Sequence, residues 1–395
     1  MSNPIAPILA DAAPDPHHRP VALRPLPGRP LMSVVITNYN YATYVGRAIE
    51  SVQRQTYDRI EIIVVDDGSK DDSLAVIRGY AKHDARIRVV TKANGAMASS
   101  WNAAWPQVTG DVVCPLDADD AFHPDKLAAV AAAFAADAQA GLLIHAMTVV
   151  DSADVPGQRL PFLTRFERGW LADKVLQRGG RWRYMPTSAL CFRREMGAYL
   201  FPVCERTFRM HADALVVTLL PFLTRVAALD ESLSLYRVHG SNSLGGGARD
   251  AATAQKVIDF SLHTIEGVNA RLAELGLPER LDVTRNLEYL QAAYVLALFD
   301  GLGAVALLRL YRGLAAALWR DDLYRPSQKM MGVAVYGVAL LMPTCAIRTW
   351  WIGNTLGYSR FKRALQGAAA GVKGLFRRAT NAPTTPRVAP QGTGA

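Results

Sequence analysis

Leu31-Met32-Ser33-Val34-Val35-Ile36-Thr37-Asn38-Tyr39-Asn40 starts as an apolar, β-branched run and ends in polar residues around one aromatic ring. Such an uninterrupted run predicts a strand covered on both faces. The pattern recurs twice: residues 60–65 lead into Asp66-Asp67-Gly68-Ser69, and residues 111–116 lead into Asp117-Ala118-Asp119-Asp120. Between the runs, Val45, Ala48, Ile49 and Val52 fall at helical spacing, and a second helix is expected from Asp72 or Ser73 to about residue 84. Residues 86–90 read as a further strand, and Pro124 opens an alanine-rich helix in the favoured first-turn position. This alternation predicts an α/β fold, with a mostly parallel, Rossmann-like sheet and helices on both faces. Ligands of such sheets bind beyond the carboxyl ends of the strands, so three polar strand ends point to one site.

The rest of the 395 residues frames that sheet. Half the chain is apolar and a fifth charged, which excludes collagen-like and wholly disordered chains. Four dispersed cysteines without a C-x-x-C pair predict neither a zinc knuckle nor a disulfide framework. Residues 1–30 hold eight of the 22 prolines and read as a disordered leader without the apolar stretch of a secretory signal. The net charge of +9 is localised, because no Asp or Glu follows Asp322. Ten Lys and Arg residues lie beyond that point, leaving 34 basic against 35 acidic residues before it.

Asp117, Asp119 and Asp120 bring three carboxylates together at the end of a buried strand. Without a counterion they repel one another, and a hard cation such as Mn²⁺ or Mg²⁺ relieves that repulsion. The alternative is that they cap the next helix. Asp66-Asp67-Gly68-Ser69 is compatible with a base- or ribose-binding turn and with an ordinary one. The first strand is followed by no G-x-G-x-x-G, and the chain has neither a phosphate-loop motif nor a G-x-S-x-G elbow. Dinucleotide dehydrogenases, phosphate-loop ATPases and α/β-hydrolases are thereby excluded.

Taken in order, residues 33–40, 63–69 and Leu116-Asp117-Ala118-Asp119-Asp120, with Asn94-Gly95 and Asn102 between them, resemble glycosyltransferase family 2. These are inverting nucleotide-sugar enzymes of the GT-A fold, and the resemblance covers residues 31–245. It implies that Thr37, Tyr39, Asp67 and Asp117 hold the nucleotide and that Asp119 binds the metal bridging the diphosphate. It also implies that Asp213 is the general base. The segment Tyr236-Arg237-Val238-His239 is similar to a Y-R-x-H segment of the family, which directs His239 to the metal and Arg237 to the diphosphate. Two positions depart from the pattern. Ala212 stands where a Glu usually precedes the base, and Trp101 stands where an Arg usually precedes Asn102. Lys92 is the nearby cation available to replace that arginine. The partners implied are a nucleotide-diphosphate sugar, most commonly carrying uridine, and a saccharide or lipid-linked acceptor. Two other readings of the residues are a non-catalytic scaffold acting through its helical tail and a nucleotidyltransferase, whose Gly- and Arg-rich first loop is missing here.

Beyond a Gly-rich hinge at 243–248, residues 246–325 read as helices with long apolar faces. Residues 326–379 combine an uncharged stretch, 330–347, with Trp350, Trp351 and a basic amphipathic run. Eighteen residues of helix reach about 27 Å, marginal against a hydrocarbon core of about 30 Å. Aromatic anchors and basic residues therefore predict a peripheral or monotopic attachment to an anionic membrane, on the cytoplasmic face of the inner membrane, and not nucleic-acid binding. Residues 380–395 read as a disordered end.

Overall fold

The computed structural model describes residues 17–342 except 154, 161–165 and 240–249. The first half alternates as expected: β1 (Met32–Asn38), α1 (Ala42–Gln53), β2 (Ile60–Asp66), α2 (Ser73–Ala81), β3 (Ile87–Thr91), α3 (Ala96–Ala104) and β4 (Val112–Asp117). Next come β5 (Ala121–Phe122), α4 (Lys126–Ala136), β6 (Ala140–Val150), β7 (Pro156–Leu160), α5 (Ala172–Gln177), β8 (Leu190–Arg193), α6 (Gly197–Leu200), α7 (Ala212–Leu219) and β9 (Arg225–Arg237). Four helices follow: α8 (Ala251–Glu274), α9 (Leu287–Phe299), α10 (Ala304–Arg320) and α11 (Pro326–Leu341).

The strands form one sheet in the order β3-β2-β1-β4-β8-β6-β9-β5, with β7 on β6. Neighbours from β3 to β4 run parallel, whereas β8 is antiparallel to both β4 and β6. The sheet is thus parallel in its first half and mixed in its second. The mixing stems from β8, which runs against both β4 and β6, and from the short strands β5 and β7, antiparallel to β9 and β6. The segment read as a short strand at 234–236 is the end of the 13-residue β9.

The apolar runs are continuous because both faces of the sheet are covered. Met32, Val34, Ile36, Ile62 and Val64 pack in the core shared with Val45, Ile49 and Val52 of α1. Val35, Ile63 and Val65 point the other way, toward Trp101 of α3 and Leu215 of α7. Alternate residues of one strand thereby feed two cores.

Residues 17–30, expected to belong to a disordered leader, instead lie extended against the domain. Arg19 and Val21 donate backbone hydrogen bonds to the Phe222 and Leu223 carbonyls at 2.8 Å each, and the His18 side chain is buried. Proline is compatible with this arrangement because an edge segment needs only alternate N–H groups. The last three helices have a core of their own, built from Leu290, Tyr294, Leu314, Leu318 and Tyr336. Helix α11 ends at Leu341, so most of the stretch 326–379 and all of 380–395 lie outside the described residues. Among the described residues no helix is long and apolar enough to cross a membrane.

Candidate active site

Strand register assembles the site. β2, β1 and β4 are adjacent, with Asn38 opposite Asp66 and Thr37 opposite Asp117. The three polar strand ends therefore lie side by side. They border a cleft of about 410 Å³, lined among others by Thr37, Tyr39, Asp67, Asp117, Asp119 and Asp213. Six residues spread over 177 positions thus face one cavity.

The turn after β2 is rigid. Gly68 has φ +72°, and a Cβ there would meet the Asn94 backbone nitrogen at 2.9 Å, so the glycine is required. Asp67 accepts hydrogen bonds from Gly95 N at 3.0 Å, Ala96 N at 2.7 Å and Asn94 Nδ2 at 3.1 Å. Lys92 Nζ lies 2.5 Å from the same carboxylate. These contacts hold Ala96 at φ 69°, a left-handed conformation that a Cβ disfavours, at the lip of the cleft. Lys92, put forward as a diphosphate contact, is instead engaged by Asp67.

At the end of β4 the three carboxylates separate into different roles. Asp119 Oδ2 lies 2.9 Å from His239 Nε2. The His239 ring stacks on Tyr44 and meets Tyr41 edge-on, at centroid distances of 5.6 Å each. Asp120 points inward and accepts from Arg237 N at 2.9 Å, while its Oδ2 is buried without a partner. Burial, reinforced by the Asp119 charge, pushes the Asp120 carboxyl up to about 8. Burial and the charges of Asp119, Asp120 and Asp213 likewise hold the Asp117 carboxyl well above its ordinary range. This is the conflict between carboxylates that their spacing implied.

Arg237 does not reach the cleft. Its side chain is buried under the 117–120 turn, donating from Nε to Asp119 O at 2.8 Å and from Nη1 to Asp151 O at 2.9 Å. Its guanidinium lies 4.9 Å from the Tyr44 ring centroid. The residue expected at the diphosphate is thus a brace beneath Asp119, because Arg237 turns under the 117–120 turn while Tyr236 lines the cleft and His239 meets Asp119. Among the described residues lining the cleft, Arg209 is the one Lys or Arg, and its side chain is exposed.

Asp213 opens α7, where Ala214 N donates to its Oδ1 at 3.0 Å and Thr187 Oγ1 to its Oδ2 at 3.3 Å. Burial raises its pKa, opposed by His211 and the Thr187 hydroxyl. Thr187 lines the cleft together with Asp117 and Asp213. Both departures from the family pattern have packing reasons. Ala212 and Trp101 are buried in the core on the α3–α7 side of the sheet, where a Glu or an Arg would place a charge among apolar groups. Thr187, Arg209, His211 and Tyr236 also line the cleft. No motif marked the first three; they are brought in by loops that only the fold positions. Tyr236 belongs to the Y-R-x-H segment, so sequence offered a signal for it.

The cation that these carboxylates imply has a partial fit. Among the described residues no three His, Cys, Asp or Glu side chains are arranged to enclose a metal. Asp119 with His239 supplies one carboxylate and one imidazole, a donor set suited to a divalent ion that completes its shell from a ligand.

A cleft beyond the carboxyl ends of parallel strands is where α/β sheets bind their ligands. Residues 33–196 match Glycosyl transferase family 2. An uncharacterized glycosyltransferase of Nostoc sp. is 35% identical over 274 residues, which cover 67% of this chain and 82% of that protein. The chain therefore belongs to glycosyltransferase family 2, and it is a glycosyltransferase. A shorter match, 38% identical over 98 residues, is to chondroitin synthase of Pasteurella multocida; it covers 25% of this chain and 10% of that protein. Among solved structures, S. aureus TarS 1–349 aligns with a TM-score of 0.47 at 18% identity, covering 81% of this chain and 88% of that one.

Proposed function

We propose that the protein moves a sugar from a nucleotide-diphosphate donor, a UDP-sugar being the first to test, to a hydroxyl of a saccharide or lipid-linked acceptor. The observation that supports this reading is one cleft lined by the strand ends Thr37, Tyr39, Asp117 and Asp119 together with Asp213 from α7. Thr37, Tyr39 and Asp117 hold base and ribose. Asp67 contributes by fixing the Gly95–Ala96 lip. Arg209 replaces Lys92 and Arg237 as the side chain that meets the diphosphate.

Asp213 takes the proton from the acceptor hydroxyl as that oxygen bonds to the anomeric carbon. The bond from that carbon to the diphosphate oxygen breaks in the same step, and its electron pair leaves with the diphosphate. One displacement inverts the anomeric carbon. Asp119 and His239 would hold Mn²⁺ or Mg²⁺, which as a Lewis acid neutralises charge on the leaving diphosphate. Burial makes Asp213 more basic than an ordinary carboxylate, which suits this role.

The enzyme is proposed to work at the cytoplasmic face of the inner membrane, peripheral or monotopic, with an anionic surface as partner of residues 326–379. The decisive test is binding of a nucleoside-diphosphate panel to wild type, Asp119→Ala and Arg209→Ala, with Mn²⁺ and with chelator. Metal-dependent binding that Asp119→Ala loses supports the site. Absence of binding to wild type under every condition overturns it.

A further inference from the structure

Helices α10 and α11 carry no Asp or Glu, yet they present large apolar side chains outward. On α10, Val305 is 76% and Trp319 60% exposed, with Leu308 exposed between them. Arg309, Arg312 and Arg320 are exposed on the same helix, and with these three they fall at positions spaced by three, four, seven and eight residues. The stripe is therefore one face on which apolar and cationic residues alternate. The opposite face, with Leu307, Leu314 and Leu318, fills the core of the helical region. Helix α11 extends the outward patch. Lys329 Nζ donates to Trp319 O at 2.7 Å, which sets the exposed Met330 and Met331 beside the end of α10.

From this juxtaposition we infer that the outward face of α10, continued by the start of α11, docks on an anionic lipid surface. Apolar groups that enter the acyl boundary alternate with cations that meet the headgroups, and no acidic residue on either helix opposes them. This rests on the proposed membrane location but extends the contact upstream of 326–379, onto the packed helix α10. The attachment is mechanically tied to the cleft. Arg181 pairs with Asp321 at 2.7 Å and with Glu288 at 3.2 Å, and Arg183 Nη2 donates to Leu323 O at 2.8 Å. These residues precede Pro186 and Thr187, which line the cleft beside Asp213. Docking on this face holds the acceptor side of the cleft in a fixed relation to the bilayer.

The test is vesicle flotation of the full chain with phosphatidylcholine alone and with phosphatidylcholine mixed with phosphatidylglycerol. Wild type is expected to float with the anionic vesicles and to be released by salt. Leu308→Glu with Trp319→Glu, and separately Arg309→Gln with Arg312→Gln, are expected to weaken partitioning by about tenfold or more. A parallel variant neutralises Lys373, Arg377 and Arg378. If it alone abolishes flotation while the α10 variants float like wild type, the face is not the contact, though the membrane location stands. If wild type does not float, both fail. If light scattering shows a wild-type dimer that Trp319→Glu dissociates, a second copy covers the face and the inference is overturned. Nucleotide binding by each variant reports folding and tests the transferase reading separately.

Discussion

Replacing Asp213 with Asn changes one atom of the carboxylate and little of its setting. Ala214 N can still donate to the amide oxygen, as it does to Oδ1 at 3.0 Å, and the Thr187 hydroxyl at 3.3 Å can turn to accept. The fold and the strand ends proposed to bind the donor are therefore expected to survive. What disappears is the lone pair proposed to take the acceptor proton. General-base catalysis contributes about 10²- to 10⁴-fold, so turnover is expected to fall by that factor, about 3–5 kcal/mol of transition-state stabilisation. The assay is release of nucleoside diphosphate from the donor selected by the binding panel, alongside calorimetric titration with the same nucleotide. The wild-type pH profile supplies an independent arm. The proposed base works only when deprotonated and burial raises its pKa, so activity is expected to be lost as pH falls through a pKa raised from the ordinary aspartate value. Thr187→Val removes a hydrogen bond that lowers this pKa, which moves the acidic limb to higher pH. Turnover within about threefold of wild type in Asp213→Asn would refute the assignment. So would loss of nucleotide affinity equal to the loss of turnover.

Two further substitutions test how the site is supported. Arg237→Met strips partners from the Asp119 and Asp151 carbonyls and removes the buried cation beside Asp120, at an expected cost of about 3–5 kcal/mol. Thermal melting checks this, and a diphosphate ligand would instead show unchanged stability with weaker nucleotide binding. Trp101→Arg restores the residue more usual at that position but buries a guanidinium in the core, so a loss of about 3 kcal/mol or more is expected with no gain in nucleotide affinity. A stable variant that binds nucleotide more tightly would contradict the packing account.

The strand ends were readable because two local regularities coincide there. Buried parallel strands need continuous β-branched runs, and a polar residue ending such a run lies at the carboxyl edge of the sheet. Thr37, Asp67, Asp117 and Asp119 follow from that without knowledge of the tertiary fold. The order of these motifs in turn identified the family, and family membership directed attention to Asp213 and His239. Sequence composition also located the basic end of the chain, since charge can be counted without a fold.

What each charged group does was decided by packing. Lys92 and Arg237 were legible as cations near the site. One closes on Asp67 in the cleft wall, and the other disappears beneath the 117–120 turn, where backbone carbonyls take its donors. Thr187 and Arg209 carry no local pattern and arrive only when β8 and α7 fold back across the sheet. The same is true of the mixed half of the sheet, whose register depends on contacts between distant segments, and of α10. Its apolar residues read equally as core or surface until α9 and α11 cover one face and leave the other exposed. Local periodicity records which residues share an element, whereas the partner of a charge or an apolar face is a property of the assembled chain.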